Sequence, residues 1–133
     1  MKYLLDTNVW IQCLKNPDCS AAIRIRSTNR KAIAVCSIVF AELLHGARKY
    51  ERRSDREAVV LSTLKPYKSL PFDNAAAERY ATIRDRLEAR GETIGGNDYL
   101  IAAIALVHDL TVVTNNSEFR RVDGLRVEDW SVV

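Results

Sequence analysis

The sequence has 133 residues, of which 47% are hydrophobic and 28% charged, and its formal net charge is +3 at pH 7. This composition is typical of one soluble globular domain covering residues 1–133, and it excludes collagen-like, low-complexity and disordered chains. The longest apolar run, Leu100 to Val107, is far shorter than the roughly 20 residues of a membrane span, and the stretch before Asp6 is too short for a signal peptide, which predicts a cytoplasmic protein.

Short β-rich segments alternate with helical patterns along the chain. Five segments predict strands: Lys2 to Leu5, Ala32 to Cys36, Tyr67 to Phe72, Leu110 to Thr114 and, more weakly, Leu125 to Glu128. Strands that alternate with helices predict an α/β fold, a three-layer α/β/α sandwich around a mostly parallel sheet of four to five strands. In such a fold, functional groups gather at the carboxyl ends of the strands.

Four segments carry helical periodicity. Ser37 to Arg53 predicts one amphipathic helix, and Asp55 to Leu64 predicts a weaker one. Asp73 to Arg90 predicts the clearest helix, and Gly91 is its stop signal. Asp98 to His108 is apolar nearly all round, so we expect it to be buried against the sheet and against a second surface, such as another subunit.

Basic residues concentrate between Arg48 and Arg56. The segment holds five basic residues against the two acids Glu51 and Asp55, so it carries the whole net charge of +3. It is interpreted either as a solvated helix face or as a stripe that contacts phosphate groups.

Three acids lie where the predicted fold brings side chains together. Asp6 ends the first strand, Glu42 lies in the helix after the second, and Asp98 follows Gly95-Gly96-Asn97 at the start of the apolar helix. Each has a structural alternative, since Asp6 could cap the first helix, Asp98 could gain from the helix dipole, and Glu42 could pair with Arg48. Converging carboxylates repel unless a cation holds them, and oxygen ligands with few histidines favour Mg²⁺ or Mn²⁺.

The segment after the fourth predicted strand places Thr114, Asn116 and Glu118 at the same edge. These groups could hold a water or complete a ligand set, and the alternative is a polar turn. The three cysteines, Cys13, Cys19 and Cys36, show no C-x-x-C spacing, so they are predicted to be reduced and packed rather than to bind zinc or form a disulfide framework.

Five blocks, in this order along nearly the whole chain, resemble the PIN-domain ribonucleases of the VapC type, which are toxins of bacterial toxin–antitoxin pairs. They are Leu4-Leu5-Asp6-Thr7-Asn8, Ser37 to Leu43 with Gly46, Ile94 to Ala103, Val113 to Phe119, and Gly124 to Trp130.

The resemblance implies a three-layer fold, usually dimeric, that hydrolyses RNA with Mg²⁺ or Mn²⁺. Asp6, Glu42 and Asp98 fall on the acidic metal-binding positions of the family, and Asn116 stands where many PIN domains have Asp. The Thr-Asn-Asn block of residues 114–116 resembles the members that cleave the anticodon stem-loop of initiator tRNA, although the loop before Glu118 is one residue shorter.

We therefore hypothesise metal-assisted hydrolysis with Asp6, Glu42, Asp98 and Asn116 as the catalytic set. The residues expected to orient carboxylates or waters are Thr7, Asn8, Ser37, Thr114 and Glu118. Those expected to contact the RNA backbone are Arg48, Lys49, Arg52 and Arg53. Trp10 and Tyr99 are candidates for stacking on bases, with core packing as the alternative.

The resemblance also implies partners. It predicts a cognate VapB-type antitoxin that covers the active site, a homodimer, and a higher-order complex with operator DNA. A groove among the first helices could receive an apolar antitoxin segment, and the alternative is that its residues form the core of the chain: Trp10, Ile11, Leu14, Ile23 and Ile25.

Three other functions compete with this one. In a haloacid-dehalogenase-like phosphatase Asp6 would attack phosphate directly, but Asn8 stands where a second acid is usual. A phospho-receiver domain would need an Asp at the end of a central strand, whereas Asp73 after the third strand has the position of a helix cap. A chain without activity that only sequesters its partner is the third.

Overall fold

The computed structural model describes residues 1–132, in which five parallel strands form one sheet. The strands are β1 (Tyr3–Leu5), β2 (Ile33–Cys36), β3 (Lys68–Leu70), β4 (Thr111–Val113) and β5 (Val127–Glu128). Their order across the sheet is β3-β2-β1-β4-β5, so the direction of winding reverses between β1 and β4. Ligands of open α/β sheets bind in the crevice at such a reversal, at the carboxyl ends of the strands.

Six α-helices connect the strands, and all five predicted strands and the predicted α/β fold class are confirmed. The helices are α1 (Thr7–Lys15), α2 (Ser20–Ser27), α3 (Ser37–Ala47), α4 (Arg53–Leu64), α5 (Asn74–Arg90) and α6 (Gly96–Val107). Short 3₁₀ turns lie at Arg30–Ala32 and Ser117–Arg121.

The single helix predicted over Ser37 to Arg53 is wrong, because α3 ends at Ala47 and α4 begins at Arg53. Val60 and Leu64 of α4 are buried, and α4 packs against α3. A continuous helix would carry this apolar face away from the core, so tertiary packing turns the chain between the two helices.

The apolar helix is buried as its sequence predicts, and the second surface that covers it is mainly α5 of the same chain. Residues 101–105 of α6 are 0% exposed, and α6 packs mainly against α5.

The boundaries of α5 are also as predicted: Asp73 accepts a hydrogen bond from the Ala76 N–H at 3.0 Å, and Gly91 ends the helix with φ +68°. Among residues 1–132, every helix is too short or too polar to span a bilayer.

Candidate active site

Asp6 lies at the point where the sheet reverses direction, directly after β1. The carboxylate is 4% exposed, and two neutral donors hold it: the Thr7 N–H contacts Oδ1 at 2.7 Å, and the Thr114 hydroxyl donates to Oδ2 at 2.9 Å. Burial raises the pKa of Asp6, these two hydrogen bonds oppose the rise, and the charge of Glu42 adds to it. Asp6 therefore both caps α1 and presents a buried charge to the crevice.

Glu42 reaches the same place from α3. Its Oε1 accepts a hydrogen bond from the Thr7 hydroxyl at 2.7 Å, so the backbone and the side chain of Thr7 bind two different acids. The alternative pairing of Glu42 with Arg48 is wrong, because the Arg48 guanidinium pairs with Glu57 of α4.

Asp98 enters the site from the first turn of α6. Its Oδ2 accepts a hydrogen bond from the Asn116 side-chain amide at 3.3 Å, and a Cβ placed on Gly95 would lie only 2.9 Å from the same oxygen. Burial first, and then the charges of Asp6, Glu42 and Glu118, raise the pKa of Asp98 to about 6. The carboxylates are therefore near enough for their charges to disfavour the ionised form of Asp98.

One chain of hydrogen bonds joins the three acids through neutral groups. Thr7 links Glu42 to Asp6, and Thr114 donates to Asp6 while its oxygen accepts the Asn116 N–H at 3.0 Å. The Asn116 side chain then reaches Asp98. The polar-turn alternative for residues 114–116 is thus also true, because the turn itself positions the acids.

Asn116 and Glu118 have distinct environments. The Asn116 amide oxygen accepts the Glu118 N–H at 3.0 Å and its NH₂ faces Asp98, so both ends of the amide have partners. The Glu118 carboxylate pairs with Arg121 at 3.4 Å, and Arg121 also donates to the Thr93 carbonyl at 2.7 Å. Asn116 is thus a hydrogen-bond neighbour of Asp98, and its place in the catalytic set stays a prediction.

Asn8 and Ser37 lie outside the hydrogen-bond chain. Asn8 is exposed on α1, and the Ser37 hydroxyl accepts the Phe72 N–H at 3.3 Å. Over residues 1–132, neither side chain hydrogen-bonds to Asp6, Glu42 or Asp98. Their roles in orienting waters stay predictions.

The chemistry of the donors fits a hard divalent cation. Asp6, Glu42 and Asp98 offer only carboxylate oxygens, and a bound cation would relieve the burial and the repulsion that raise the pKa values of Asp6 and Asp98. Within residues 1–132, no three Asp, Glu, His or Cys side chains are arranged as a closed coordination cluster. Each carboxylate is instead held by a neutral donor.

The basic segment borders the site rather than extending the helix of Glu42. It forms the connection between α3 and the first turn of α4, where the Arg56 guanidinium stacks on Tyr50 at 4.6 Å from the ring centre. Arg52 and Arg53 are exposed, and neither forms an ion pair within the described part of the chain. Both therefore present free positive charge to solvent.

A groove of about 320 Å³ runs between α1, α3 and α4 and includes Glu42. Its apolar lining consists mainly of Ile11, Leu14, Leu43, Tyr50, Val59 and Val60, and its charged lining includes Lys15, Lys49 and Arg56. The sequence predicts only the first helices as lining of this groove. The walls formed by α3 and α4 are not predicted, because the packing of α4 against α3 cannot be deduced from one sequence.

The groove residues expected from the sequence are only partly right. Ile11 and Leu14 line the groove, but Trp10 is 2% and Ile25 9% exposed, so both belong to the core. Ile23 is 54% exposed and lies outside the groove lining. The core alternative is thus confirmed for Trp10 and Ile25.

The stacking prediction for Trp10 and Tyr99 is wrong, because both are 2% exposed. Trp10 packs against Tyr67 with ring centres 5.3 Å apart, and the Tyr99 hydroxyl accepts the Ile94 N–H at 3.3 Å. The missed residue of the site is Gly95, and the pair Gly95-Gly96 shortly before Asp98 is the signal that could have identified a close approach.

Comparison with known proteins identifies the family. A family model described as "PIN domain" matches residues 3–125. The "tRNA(fMet)-specific endonuclease VapC" of Shigella flexneri is 37% identical over 132 residues, which is 98% of this chain and 99% of that protein. The "Ribonuclease VapC2" of Rickettsia felis is 34% identical over 132 residues, with 98% of each protein covered.

Solved structures show the same architecture. The chain matches DNA-bound VapBC from Salmonella typhimurium with a TM-score of 0.92 and 36% identity, covering 98% of both chains. VapBC2 from Rickettsia felis, bound to a DNA fragment from its promoter, matches with a TM-score of 0.87 and 34% identity, covering 98% of this chain and 99% of that one.

Proposed function

The chain belongs to the PIN-domain family, and on that premise we propose that it is the toxin of a type II toxin–antitoxin pair, an endoribonuclease that inhibits translation by cleaving tRNA. The observation that carries the proposal is the chain of hydrogen bonds that holds Asp6, Glu42 and Asp98 at the reversal of the sheet. Two VapC relatives are named tRNA(fMet)-specific endonucleases, which supports initiator tRNA as the substrate, and we propose its anticodon stem-loop as the place of cleavage.

Asp6, Glu42 and Asp98 would hold a Mg²⁺ ion, for which Mn²⁺ can substitute. When bound, the cation supplies positive charge that offsets the negative charge growing on the attacked phosphate. The three acids must be ionised for this task. The hydrogen bonds from Thr7 and Thr114 favour the charged form of Asp6 and so oppose the rise in its pKa that burial causes.

The remaining polar residues have supporting tasks in this proposal. Asn116 orients Asp98 through its side-chain amide, and Glu118 is held beside it by Arg121. Asn8, exposed at the start of α1, and Ser37, at the start of α3, would orient waters or carboxylates.

The basic connection between α3 and α4 would bind the RNA backbone. An acidic centre repels a polyanion, so a cationic border is needed to draw RNA toward it. Arg52 and Arg53 are free for this purpose, Lys49 lines the neighbouring groove, and Arg48 contributes charge although it is paired with Glu57.

The groove that includes Glu42 is the proposed binding site of the antitoxin. Its apolar lining suits the nonpolar face of a helix, and Glu42 lies in its wall, so a segment seated there would cover the active site. The solved VapBC complexes, some bound to DNA, support a VapB-type partner and a larger assembly on operator DNA. A homodimer, a single domain over residues 1–133 and a cytoplasmic location complete the proposal.

The haloacid-dehalogenase-like and phospho-receiver alternatives gain no support, because the curated relatives described above are nucleases. The site also departs from both. Both oxygens of Asp6 are engaged by Thr7 and Thr114, an arrangement that orients a ligand rather than freeing a nucleophile.

The test incubates the purified chain, freed of any co-purified partner, with total tRNA in Mg²⁺, in Mn²⁺ and in EDTA. The proposal predicts discrete fragments that need the cation and map to the anticodon stem-loop of initiator tRNA. Fragments from another RNA would support the proposed nuclease activity and show that its substrate is not initiator tRNA. No cleavage of any RNA by the folded chain would overturn the proposal.

A further inference from the structure

Two thiols lie side by side on the first two helices, outside the active site. Cys13 belongs to the last turns of α1, and Cys19 is the N-cap of α2. Their Sγ atoms are 3.9 Å apart, and both side chains are partly exposed. The sulfurs need to approach by only about 2 Å to reach the length of a disulfide bond.

The turn between the helices holds the two thiols in place. The Cys19 N–H donates to the Asn16 carbonyl at 3.1 Å, and the Asp18 N–H donates to the Asn16 side chain at 3.1 Å. Arg26 of α2 then donates to the Pro17 carbonyl at 2.7 Å. These bonds fix both ends of the turn before any covalent link forms, so the thiols meet at a high effective concentration.

We propose that Cys13 and Cys19 are a reversible dithiol site that low-molecular-weight disulfides, the class to which oxidised glutathione belongs, convert to an intramolecular disulfide. The Cys19 thiolate attacks one sulfur of the small disulfide, forms a mixed disulfide, and releases one small thiol, which takes up the proton that Cys19 lost. Cys13 then loses its proton, attacks the Cys19 sulfur, and expels the second small thiol. The two cysteines lose two electrons, and the small disulfide gains them.

The order of attack follows from the environment of Cys13. Burial and then the adjacent Cys19 raise the pKa of Cys13 to about 12, which disfavours Cys13 as the first nucleophile. Once Cys19 is in the mixed disulfide, its share of that rise is gone and Cys13 can lose its proton for the second step. Cys36 is the internal control. Its side chain is 0% exposed in β2, so a small disulfide in solvent cannot reach its thiol, whereas Cys13 and Cys19 are partly exposed.

The bond would tie the end of α1 to the start of α2. Leu14 and Lys15, which follow Cys13 directly, line the groove that includes Glu42. The disulfide therefore fixes one wall of that groove, although its formation does not depend on the nuclease or antitoxin proposals.

The experiment equilibrates the reduced full chain with mixtures of reduced and oxidised glutathione, quenches with acid, alkylates the free thiols, and measures intact and peptide masses. The expected oxidised species has lost two hydrogens, keeps one thiol that reacts with the alkylating agent after unfolding, and yields a Cys13–Cys19 linked peptide. Cys36→Ser should still form the bond, and Cys13→Ser should stop at a glutathione adduct on Cys19.

A parallel equilibration in concentrated urea separates a built site from two cysteines that are merely near in sequence. The equilibrium constant for forming the disulfide should be at least about tenfold larger in the native chain than in the unfolded chain. By the same linkage, the oxidised chain should unfold at a higher urea concentration than the reduced chain. Equal formation in urea would overturn the proposal. So would a native chain that accumulates glutathione adducts without the intramolecular bond.

Discussion

Thr7 and Glu42 are joined by a 2.7 Å hydrogen bond from the Thr7 hydroxyl to the Glu42 carboxylate, across two different βα connections. The same residue donates its backbone N–H to Asp6 at 2.7 Å. Thr7 is 7% exposed, so one buried residue, through its backbone and its side chain, holds two of the three acids near each other. The active site thus depends on hydroxyl and amide donors as much as on the acids themselves.

Thr7→Val should remove the bond to Glu42 while preserving the shape of the side chain. We expect cleavage to fall roughly 10–100-fold, the usual effect of losing a group that orients a ligand. The free energy of unfolding should fall by about 1 kcal/mol. Cleavage rate and urea unfolding measure the two effects. Thr7→Ser keeps the hydroxyl and should stay near wild type, and a fully active Thr7→Val would show that Glu42 needs no such support.

Gly95→Ala should displace Asp98, because the new Cβ would lie 2.9 Å from its Oδ2. A shift of this kind in a catalytic group should lower the cleavage rate by at least about tenfold. Gly96→Ala is the matched control, since a Cβ there has no neighbour within 4 Å. Equal rates for the two variants would contradict the tight seat of Asp98.

Asp98→Asn should stabilise the fold at neutral pH in EDTA. The folded pKa of Asp98, about 6, is above its ordinary value of 3.8, so keeping the group ionised costs folding free energy. The cost is absent below about pH 4, grows as pH rises to about 6, and is complete above that value. After allowance for partial exposure, we expect a gain of roughly 1–2 kcal/mol at neutral pH that vanishes toward pH 4.

Urea unfolding across this pH range measures the gain. Asp85→Asn, at an exposed position on α5, is the control and should change little. A variant at Asp98 that is destabilised at neutral pH would show that its carboxylate is not under repulsion.

The double charge reversal Arg52→Glu with Arg53→Glu should weaken RNA binding. Measured on the Asp98→Asn background, the Kd for tRNA should rise at least about tenfold at low salt, and the dependence of binding on salt should become shallower. Arg30→Glu with Lys31→Glu makes the same charge change before β2, at the opposite edge of the sheet. If the two double variants raise the Kd for tRNA equally, the α3–α4 connection has no special role in RNA binding.

The sequence is enough to place the three acids at one edge, because parallel strands carry their carboxyl ends to the same side. The positions of the five strands follow from hydrophobic pattern, although each observed strand is shorter than predicted, and the boundaries of α5 are set locally by Asp73 and Gly91. These features need no knowledge of distant contacts.

The features that were predicted wrongly, or not predicted at all, depend on packing between helices and strands. Gly46 lies in the last turn of α3, but no Gly or Pro stands between Arg48 and Arg53 to separate α3 from α4 in the sequence. The bond between Thr7 and Glu42 requires the rotation of α3 over the sheet, and the contact between Cys13 and Cys19 requires the fold of the intervening turn. Each of these contacts depends on tertiary structure, which the hydrophobic periodicity of the sequence does not determine.

The most direct test of the active site is the single-turnover rate at which the wild type and Asp98→Asn cleave initiator tRNA in Mg²⁺, with both proteins shown to be folded. The account predicts that the variant loses about 1,000-fold or more in rate, because a carboxylate that would hold the cation is gone. A folded Asp98→Asn that cleaves at the wild-type rate would contradict it.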